Sequence, residues 1–506
     1  MPRQLALLIY LSGVVWLFRR DFREKPNITG ALWLPFFWVV ISGSRFVSQW
    51  LAIFGLNLGG TSVEEGSPLD AFIFFVLILS GLYVLNQRRL NLSEFIQNNR
   101  LVTIYLAYCF LAIMWSDYPF VSFKRWIKLF GQPVMVLILL TEPDPVESLT
   151  RLLKRCAYVV IPISILFIKY FPELGSAYDS WTGSRMNTGI TKDKNLLGCD
   201  CMILGLFFFW HFLRVRRRGK SVTRRNELIF CLVFLMLIGW LLDMAQSATS
   251  IGSLLLAIAV VLFLGIRFVN LRLIGAYLVA VLVICGLAEV LFGISEQALH
   301  FLGRNSTLTG RTDIWKFLLN WDINPILGSG FESFWLTSGL GKADAMFQGL
   351  TVNEAHNGYL ETYLNLGLLG LFITLAMLLT AFFKARYALL TDFQFGRFRL
   401  AYLAAFIIYN WTEAAFRTHC FSFFMFFLIA IDYPKPPLVN AEQTVHADST
   451  ETDVKLVSMV EQVPLAYNQS ASNDLNHTKS TVQADWKSWL LSIISRPAAI
   501  TAGKPT

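Results

Sequence analysis

The sequence predicts an all-α membrane protein that crosses the bilayer about twelve times. Its mean hydropathy is +0.53, 55% of its residues are hydrophobic, and only 15% are charged. A soluble chain carries roughly 25% charged residues. In addition, apolar runs long enough to cross about 30 Å of hydrocarbon recur along most of the chain. These features exclude a set of soluble domains before the polar C-terminal tail.

Twelve apolar segments are predicted to span the membrane as helices. They are residues 31–55, 69–86, 100–115, 127–140, 156–170, 196–213, 228–245, 248–266, 273–293, 359–383, 399–412 and 419–432. Residues 4–18 are apolar but form only about 22 Å of helix at 1.5 Å per residue. They would make a thirteenth span if they cross the bilayer.

These segments divide the chain into five sections. They are a short apolar segment with a basic loop (1–30), transmembrane helices (31–293), one large loop (294–358), further transmembrane helices (359–432), and a polar tail (433–506). The tail is rich in Ser, Thr, Asn and Asp, which predicts disorder. The large loop contains enough aromatic residues to fold over the membrane surface.

Basic residues fall in alternate loops, and this alternation predicts orientation. The basic loops include residues 19–25, 87–90, 151–155, 214–225 and 384–386. Since Lys and Arg favour the cytoplasmic side, we place these loops and the tail in the cytoplasm and the loop 294–358 outside. The net charge of +9 therefore follows topology and does not indicate nucleic-acid binding.

The seven cysteines lie in or beside predicted spans. Cys199 and Cys201 form a C-x-C pair, but no second Cys or His cluster accompanies them, so zinc is not expected. We interpret all seven as small apolar residues. The sequence also lacks the D-x-D, G-x-S-x-G, H-E-x-x-H and Walker motifs of nucleotide-sugar transferases, serine hydrolases, zinc proteases and ATPases.

The large loop contains "LTGRTDIWKFLLNWDINPILGSGFESF" (308–334). Arg311 begins a short amphipathic segment whose apolar side includes Ile314, Trp315, Leu318 and Leu319. An arginine here could hold a phosphate through two parallel hydrogen bonds. It could equally pair with Asp313 or cap the segment, and the residues leave these alternatives open.

The stretch "HNGYLETYLNLGLLGL" (356–371) places a histidine at the head of a glycine-containing span. On a continuous helix, Gly367 and Gly370 lie on the face of His356, where small residues let a neighbouring helix approach closely. Glu361 lies on another face. Periodicity alone favours a simpler interpretation, in which His356 and Asn357 cap an ordinary glycine-packed span.

The loop "SAYDSWTGSRMNTGITKDKNLLG" (176–198) carries cations on the predicted outer side. Arg185, Lys192 and Lys194 oppose the positive-inside tendency, which suggests an anionic partner such as a diphosphate. The alternatives are anionic lipid headgroups and an ion pair with Asp193.

Two further groups of charges lie in or near predicted spans. Arg45 falls inside an apolar segment, where an arginine is either functional or part of a buried structural pair. In "NWTEAAFRTH" (410–419), Glu413, Arg417 and His419 are predicted to form a local ion pair.

Taken together, these motifs resemble the O-antigen ligase and O-antigen polymerase (Wzy-like) superfamily, particularly its exopolysaccharide-polymerase-like branch. "HN", nine residues and "GLLGL" resemble the family's His/Asn-x9-G-x-x-G signature. "TGRTDIW" followed by "NPILGSGFESF" resembles its large periplasmic loop. "WTGSRMNTGITKDKNLLG" and "GSRFVSQWL" are similar to segments of the exopolysaccharide branch.

The resemblance implies a GT-C-like membrane glycosyltransferase that needs no metal or other cofactor. Its donor would be a glycan on undecaprenyl diphosphate at the periplasmic face of the bacterial inner membrane. The acceptor would be a sugar hydroxyl, on another glycan for a polymerase, which we favour slightly, or on lipid A core for a ligase. Membrane lipids and other polysaccharide-assembly proteins are further expected partners.

The resemblance also implies roles for individual residues. Arg311 would bind the diphosphate, with Arg185 or Lys194 as a second cation and Lys192 beside them. His356 would position the acceptor hydroxyl or, as a neutral imidazole, accept its proton. Asn195, Asn357, Arg45, Gly367 and Gly370 would support the site. Fixed cations can stabilise a leaving diphosphate without a metal.

The alternative function is a multi-span transporter or flippase for a lipid-linked or anionic substrate. Such a protein should place polar groups near the middle of the bilayer and contain broken helices. Because most polar groups here fall in external loops, the sequence favours the enzyme, and Arg45 is the main contrary observation.

Overall fold

The computed structural model describes residues 1–24, 26–56, 66–178, 183–292, 311–336, 354–418 and 420–433. Expectations for His419 and for the tail beyond residue 433 lie outside these ranges, as does the side chain of Cys285. The remaining six cysteines are free thiols.

The described residues are almost entirely helical. The helices are α1 (Arg3–Arg23), α2 (Trp33–Ser42), α3 (Val47–Ile53), α4 (Pro68–Gln87), α5 (Leu92–Asn98), α6 (Arg100–Leu111), α7 (Pro119–Leu140), α8 (Pro145–Tyr170), α9 (Pro172–Gly175), α10 (Lys194–Arg216), α11 (Val222–Ala245), α12 (Ala248–Leu264), α13 (Ile274–Phe292), α14 (Arg311–Leu319), α15 (Gly358–Thr391), α16 (Phe393–Thr412) and α17 (Phe421–Ala430). Single 3-10 turns occupy Gly30–Leu32, Leu271–Leu273 and Phe334–Leu336.

Helix starts follow signals that are present in the sequence. Asp144 accepts hydrogen bonds from the backbone N–H groups of the first turn of α8, and Pro145 occupies the first helical position. Ser221 caps α11 in the same way. These caps satisfy N–H groups that have no partner inside the helix.

The prediction of an all-α membrane protein is confirmed at the level of helix content and apolar spans. Among the described residues, four helices are long and apolar enough to cross a membrane by length and composition: α4, α10, α11 and α15. The bent pair of α2 and α3 adds a fifth if it counts as one span. The other predicted segments are also helical but are shorter or more polar, so the number twelve stays a prediction.

One short antiparallel hairpin departs from the all-α expectation. Strands β1 (Ser176–Tyr178) and β2 (Arg185–Asn187) pair Ser176 with Asn187 and Tyr178 with Arg185. The hairpin lies in the loop that precedes α10.

Helix α1 runs antiparallel along α8. Near its start, Arg3 pairs with Glu173, just beyond the end of α8, and near its end Asp21 pairs with Arg151 and Arg155 in the first turns of α8. Its 21 residues measure about 31 Å at 1.5 Å per residue. The helix is therefore longer than the apolar run 4–18, and it makes ion pairs with neighbouring residues near both of its ends.

Helix α17 forms part of the centre of the bundle. All ten of its residues, from Phe421 to Ala430, are buried. A helix that is apolar on every side is stable only when it is surrounded by protein or lipid. The chain enters α17 directly from the loop that follows α16, and this loop contributes to the candidate site.

The large loop folds back onto α15. In α14, Ile314 and Leu318 are buried against Leu360 and Leu364. Leu319, expected on the same apolar side, is exposed. This contact places Arg311, the first residue of α14, near the start of α15.

Candidate active site

His356 does not belong to the helix that follows it. Asn357 is the N-cap of α15, and its Oδ1 accepts hydrogen bonds from the N–H groups of Tyr359 and Leu360, both at 3.0 Å. His356 has φ 47°, in the left-handed region that non-glycine residues rarely adopt. Such strained residues concentrate at functional sites, where the surrounding structure holds them in place. Asn357 is therefore a cap, as the simpler interpretation proposed, whereas His356 lies in a strained turn.

A chain of alternating charges passes through His356. Arg311 Nη2 lies 2.7 Å from Glu413 Oε1, and Glu413 Oε2 lies 3.6 Å from His356 Nδ1. His356 Nδ1 lies 2.9 Å from Glu354 Oε1, and Glu354 Oε2 lies 2.6 Å from Arg417 Nη1. We call these five residues the charge cluster. His356 Nδ1 has no aligned hydrogen bond among the described residues, so its contacts are electrostatic.

The cluster holds His356 in its charged form. Burial alone would lower the pKa of His356, but Glu354 and then Glu413 outweigh that effect and raise it to about 9. Burial would likewise raise the pKa of Glu354, but Arg417 and then His356 hold it far below its ordinary range. In this state His356 is an imidazolium at neutral pH, whereas a neutral ring was expected from the sequence.

The five residues of the cluster include more cations than carboxylates. With His356 protonated, three positive groups face two carboxylates. One ligand atom each from Glu354, His356 and Glu413 lies within 4.8 Å of the others, a spacing that a metal ion could use. However, Arg311 and Arg417 already contact the other carboxylate oxygens, and their charges oppose a divalent cation.

Sequence reasoning assigned two members of the cluster incorrectly. Glu413 and Arg417 were expected to form a local ion pair, but Glu413 pairs with Arg311 and Arg417 pairs with Glu354. Arg311 was expected to pair with Asp313 if it were structural, and its partners are Glu413 and the backbone carbonyl of Thr412. Glu354 was not predicted, although its position two residues before His356 was the available signal.

Aromatic residues of the large loop hold the segment that leads into His356. Glu361 Oε1 accepts a hydrogen bond from Trp335 Nε1 at 2.5 Å, and Oε2 accepts one from the N–H of Ala355 at 3.1 Å. Trp315 Nε1 donates to the carbonyl of Ala355 at 2.8 Å. Glu361 thus anchors the backbone that leads into His356.

Helix α15 breaks at Gly367, which has φ 66° and ψ −168°. The prediction that Gly367 lies on a continuous helical face shared with His356 is therefore wrong. A Cβ at Gly367 would lie 2.2 Å from the carbonyl oxygen of Ile326, so a loop and not a neighbouring helix makes the close approach. Gly370 keeps helical geometry, and a Cβ there would lie 2.1 Å from Cβ of Leu366.

Residues 325–330 of the large loop replace the helical hydrogen bonds that this break removes. The N–H groups of Leu368 and Leu369 donate to the carbonyls of Pro325 and Ile326, at 2.8 and 3.2 Å. In return, the carbonyls of Leu364 and Asn365 accept from the N–H groups of Ser329 and Gly330 at 3.0 and 2.9 Å. All of these backbone groups are thus satisfied, as a stable break requires. The exchange fixes the large loop against α15.

Glycines permit this close docking of the loop. Gly328 has φ 72°, and a Cβ there would lie 2.5 Å from the carbonyl carbon of Asn365. Gly330 has φ 101°, and a Cβ would lie 2.5 Å from Cα of Ser116. "GSGF" is therefore a docking segment for a broken helix.

The three cations predicted in the loop before α10 are not members of the charge cluster. Arg185 donates to Ser176 Oγ across the β-hairpin, at 2.9 and 3.1 Å. The Lys192 ammonium lies 3.8 Å from the centre of the Phe46 ring, a cation–π contact. Lys194 is the first residue of α10. None of these contacts brings Arg185 to the charge cluster.

The end of this loop does lie near the cluster. Asp193 caps α10, with its Oδ1 accepting from the N–H of Leu196 at 2.8 Å. Its enclosure in the protein, together with the nearby carboxylates of Glu354 and Glu413, raises the pKa of Asp193 to about 6. The neighbouring Asn195 accepts a hydrogen bond from the Tyr409 hydroxyl through its backbone carbonyl, at 3.2 Å. The loop therefore packs beside the site through backbone and acidic groups.

Arg45 lies at the bend between α2 and α3, where the axis turns by 60°. Its Nη2 donates to the carbonyl of Leu174 at 2.5 Å, and its guanidinium lies 5.6 Å from the centre of the Trp50 ring. These contacts join the bend between α2 and α3 to α9.

Part of the chain that contains the site matches a known protein family. Residues 231–375 match the family model Wzy_C, described as O-Antigen ligase. This match covers Arg311, Glu354 and His356 and ends before Glu413 and Arg417. The resemblance to the O-antigen ligase and polymerase superfamily is thereby confirmed.

A relative of known name indicates which branch of this superfamily the chain resembles. The chain is 28% identical over 295 residues to "Exopolysaccharide production protein ExoQ" of Rhizobium meliloti (strain 1021). The alignment covers 56% of this chain and 64% of that protein, which is less than two thirds of its length. The similarity to the exopolysaccharide branch is thus confirmed, and the apolar helices agree with a multi-pass membrane protein.

Proposed function

We propose that this protein transfers a glycan from undecaprenyl diphosphate to a sugar hydroxyl during assembly of a surface polysaccharide. The observation that carries the proposal is the bridge from Arg311 through Glu413 to His356, in a chain whose residues 231–375 match the O-antigen ligase model. Two cationic groups from distant parts of the chain are held together by one buried carboxylate.

The chemistry of the transfer fits these groups. Breaking the bond between a sugar and a diphosphate develops negative charge on the leaving oxygen, which fixed cations stabilise. Arg311 offers a planar guanidinium that can bind two phosphate oxygens. His356, as an imidazolium, adds a second positive charge and can donate a hydrogen bond to the leaving group. This mechanism needs no metal ion.

The position of the cluster suits a lipid carrier. His356 precedes the first residue of α15, and Glu413 follows the last residue of α16, so the charges lie at helix ends. A polyprenyl chain needs an apolar environment, while its diphosphate lies at the depth of the lipid headgroups. We expect this end of the helices to face the periplasm, because the basic loops lie at the opposite ends.

The related protein favours a polymerase over a ligase. Its name concerns exopolysaccharide production, so the proposed acceptor is another glycan repeat unit and not lipid A core. The repeat unit that the reconstituted protein accepts identifies the donor and acceptor sugars.

A flippase or transporter is the second candidate, because specific observations favour it. Helices break at the bend after Gly43 and at Gly367, and Asp200 is fully buried within α10. Neither Asp200 oxygen has a hydrogen-bond partner among the described residues. Broken helices and buried ionisable groups are typical of transporters.

Reconstitution into liposomes with a purified undecaprenyl-diphosphate-linked repeat unit separates these functions. A polymerase lengthens the lipid-linked glycan without a second acceptor, a ligase needs lipid A core, and a flippase changes only the side on which the donor lies. We expect lengthening that persists in EDTA. His356→Gln and Arg311→Gln should abolish it, while Arg386→Gln, near the opposite end of α15, should not. Donor movement without a new glycosidic bond would overturn the proposal.

A further inference from the structure

Glu354 is the carboxylate of the charge cluster that a substrate can reach. Its side chain is 22% exposed, whereas that of Glu413 is 6% exposed. Glu413 is also fixed by Arg311 and by its own backbone carbonyl, which accepts from the N–H of Gly358 at 3.1 Å. Glu354, by contrast, is held by two side chains, His356 and Arg417, which are themselves 28% exposed.

The proposed transfer needs a group that takes the proton of the acceptor hydroxyl. His356 already carries a proton at neutral pH, because both carboxylates raise its pKa. An imidazolium cannot act as a base, so the proton acceptor must be another group within reach. Glu354 is ionised and adjoins the imidazolium that would face the leaving diphosphate.

We propose that Glu354 is the general base of this transfer and that Arg417 keeps it paired until the donor diphosphate binds Arg417 instead. The inference rests on the proposed function. Arg417 is then a second diphosphate-binding cation, at the opposite end of the cluster from Arg311. Donor binding and activation of the base are coupled through one ion pair.

Phosphate competes well for the Arg417 guanidinium. A diphosphate carries more negative charge than a carboxylate, and its oxygens match the planar fork of arginine. When Arg417 turns to the diphosphate, Glu354 Oε2 loses its contact at 2.6 Å and can accept a hydrogen bond from the acceptor hydroxyl. In the absence of donor the Glu354 carboxylate stays paired with Arg417.

The atoms of the transfer balance without a further reactant. The acceptor oxygen forms a bond to the anomeric carbon, and its proton passes to the Glu354 carboxylate. The bond between the anomeric carbon and the diphosphate oxygen breaks, and its electron pair remains on the diphosphate. Arg311, Arg417 and the His356 imidazolium surround that negative charge. Glu354 returns its proton to solvent when the products leave.

The two halves of the proposal predict different kinetic effects. Glu354→Gln removes the base, so kcat should fall by about 10²- to 10⁴-fold, the usual contribution of general-base catalysis. The donor KM should not rise, because the neutral amide competes less well for Arg417. Arg417→Gln should instead raise the donor KM by about tenfold or more, since it removes a hydrogen bond to a charged group. A purely structural Glu354 would not separate kcat from KM in this way.

Direct binding of undecaprenyl diphosphate to the purified full chain supplies a measurement that does not depend on turnover. Glu354→Gln should bind this probe at least as tightly as the wild type, and Arg417→Gln should bind it more weakly. Glu173→Gln and Arg386→Gln, away from the cluster, are the matched controls and should bind as the wild type does.

The possible outcomes distinguish this inference from the proposed function. If the wild type transfers no glycan, the proposed function and this inference both fail. If the wild type is active and Glu354→Gln retains its kcat within about threefold, well short of the loss expected for a missing base, only the inference fails. Should Glu354→Gln not fold, Arg417→Lys remains decisive. It keeps the ion pair but loses the planar fork of the guanidinium, so the donor KM should rise, and an unchanged donor KM would overturn the inference.

Discussion

Glu413 bridges Arg311 and His356, with one carboxylate oxygen 2.7 Å from the guanidinium and the other 3.6 Å from the imidazole. The three residues come from the start of α14, the turn before α15 and the end of α16. Because Glu413 is buried, it sets the distance between the two groups that we assign to the leaving diphosphate. A single carboxylate thus organises the cationic side of the candidate site.

Neutralising the carboxylates should lower the pKa of His356. The ring titrates near pH 9 because Glu354, and to a smaller extent Glu413, stabilise its charged form against the opposing effect of burial. Glu354→Gln should lower this pKa towards or below the ordinary value of about 6.5, and Glu413→Gln should lower it less. NMR titration of labelled histidine in detergent measures both shifts. An unchanged pKa in Glu354→Gln would contradict the geometry of the cluster.

The same shift makes stability depend on pH. The folded-state pKa of His356 is raised above its unfolded value, so its stabilising contribution is complete below about pH 6.5 and disappears as the pH rises through about 9. We expect the melting temperature of the wild type, relative to His356→Gln, to fall over this interval. The difference between the two proteins isolates His356 from other titrating groups. A constant difference from pH 6 to 9.5 would exclude the raised pKa.

Much of the fold could be predicted from the sequence because helices follow local rules. Each apolar segment predicted from its length falls largely on helix in the described residues, although 31–55 is divided between α2 and α3 and the helix predicted to begin near 156 begins at Pro145. The resemblance singled out Arg311 and His356, and the structure brings both into one cluster.

The partners of these residues could not be predicted in the same way. The ion pair between Arg311 and Glu413 joins distant parts of the chain, and the spacing of residues along the sequence does not predict such long-range contacts. For this reason, Glu413 and Arg417, which are close in sequence, were predicted to pair with each other. The raised pKa of His356 follows from those same partners, so the neutral ring expected from the sequence was also wrong.

The break in α15 escaped prediction for a related reason. Helical periodicity assumes a continuous helix, but the hydrogen bonds around Gly367 run to Pro325, Ile326, Ser329 and Gly330. A distant loop therefore specifies the break. Glycines at the end of "HNGYLETYLNLGLLGL" were a visible signal, and they were interpreted as a packing face instead.

Gly367→Ala should destabilise the protein strongly. Gly367 has φ 66° and ψ −168°, a conformation essentially restricted to glycine, and a new Cβ would lie 2.2 Å from the Ile326 carbonyl oxygen. Backbone strain and overpacking together should cost about 3 kcal/mol or more. Gly252→Ala, in α12 with no atom within 4 Å of the new Cβ, is the matched control. It should leave stability unchanged or raise it slightly. Unfolding of both variants in mixed micelles measures the difference, and equal effects would refute the break.

Asp21→Asn should detach α1 from the bundle. Asp21 is fully buried and accepts hydrogen bonds from Arg151 at 2.9 Å and Arg155 at 2.8 Å. Arg151 keeps Glu24 and Glu147 as partners, but Arg155 has no other carboxylate contact among the described residues. Removing one partner of a buried ion pair costs about 3–5 kcal/mol, because the remaining charge stays buried and uncompensated.

The exposed pair at the other end of α1 supplies the control for this experiment. Arg3 and Glu173 lie 3.0 Å apart, but their side chains are 60% and 52% exposed. Glu173→Gln should therefore change stability by no more than about 1 kcal/mol. Cross-linking between α1 and α8, followed alongside unfolding in mixed micelles, distinguishes detachment of α1 from general destabilisation. If Asp21→Asn and Glu173→Gln have equally small effects, α1 is held to α8 by its apolar contacts and not by the buried charges.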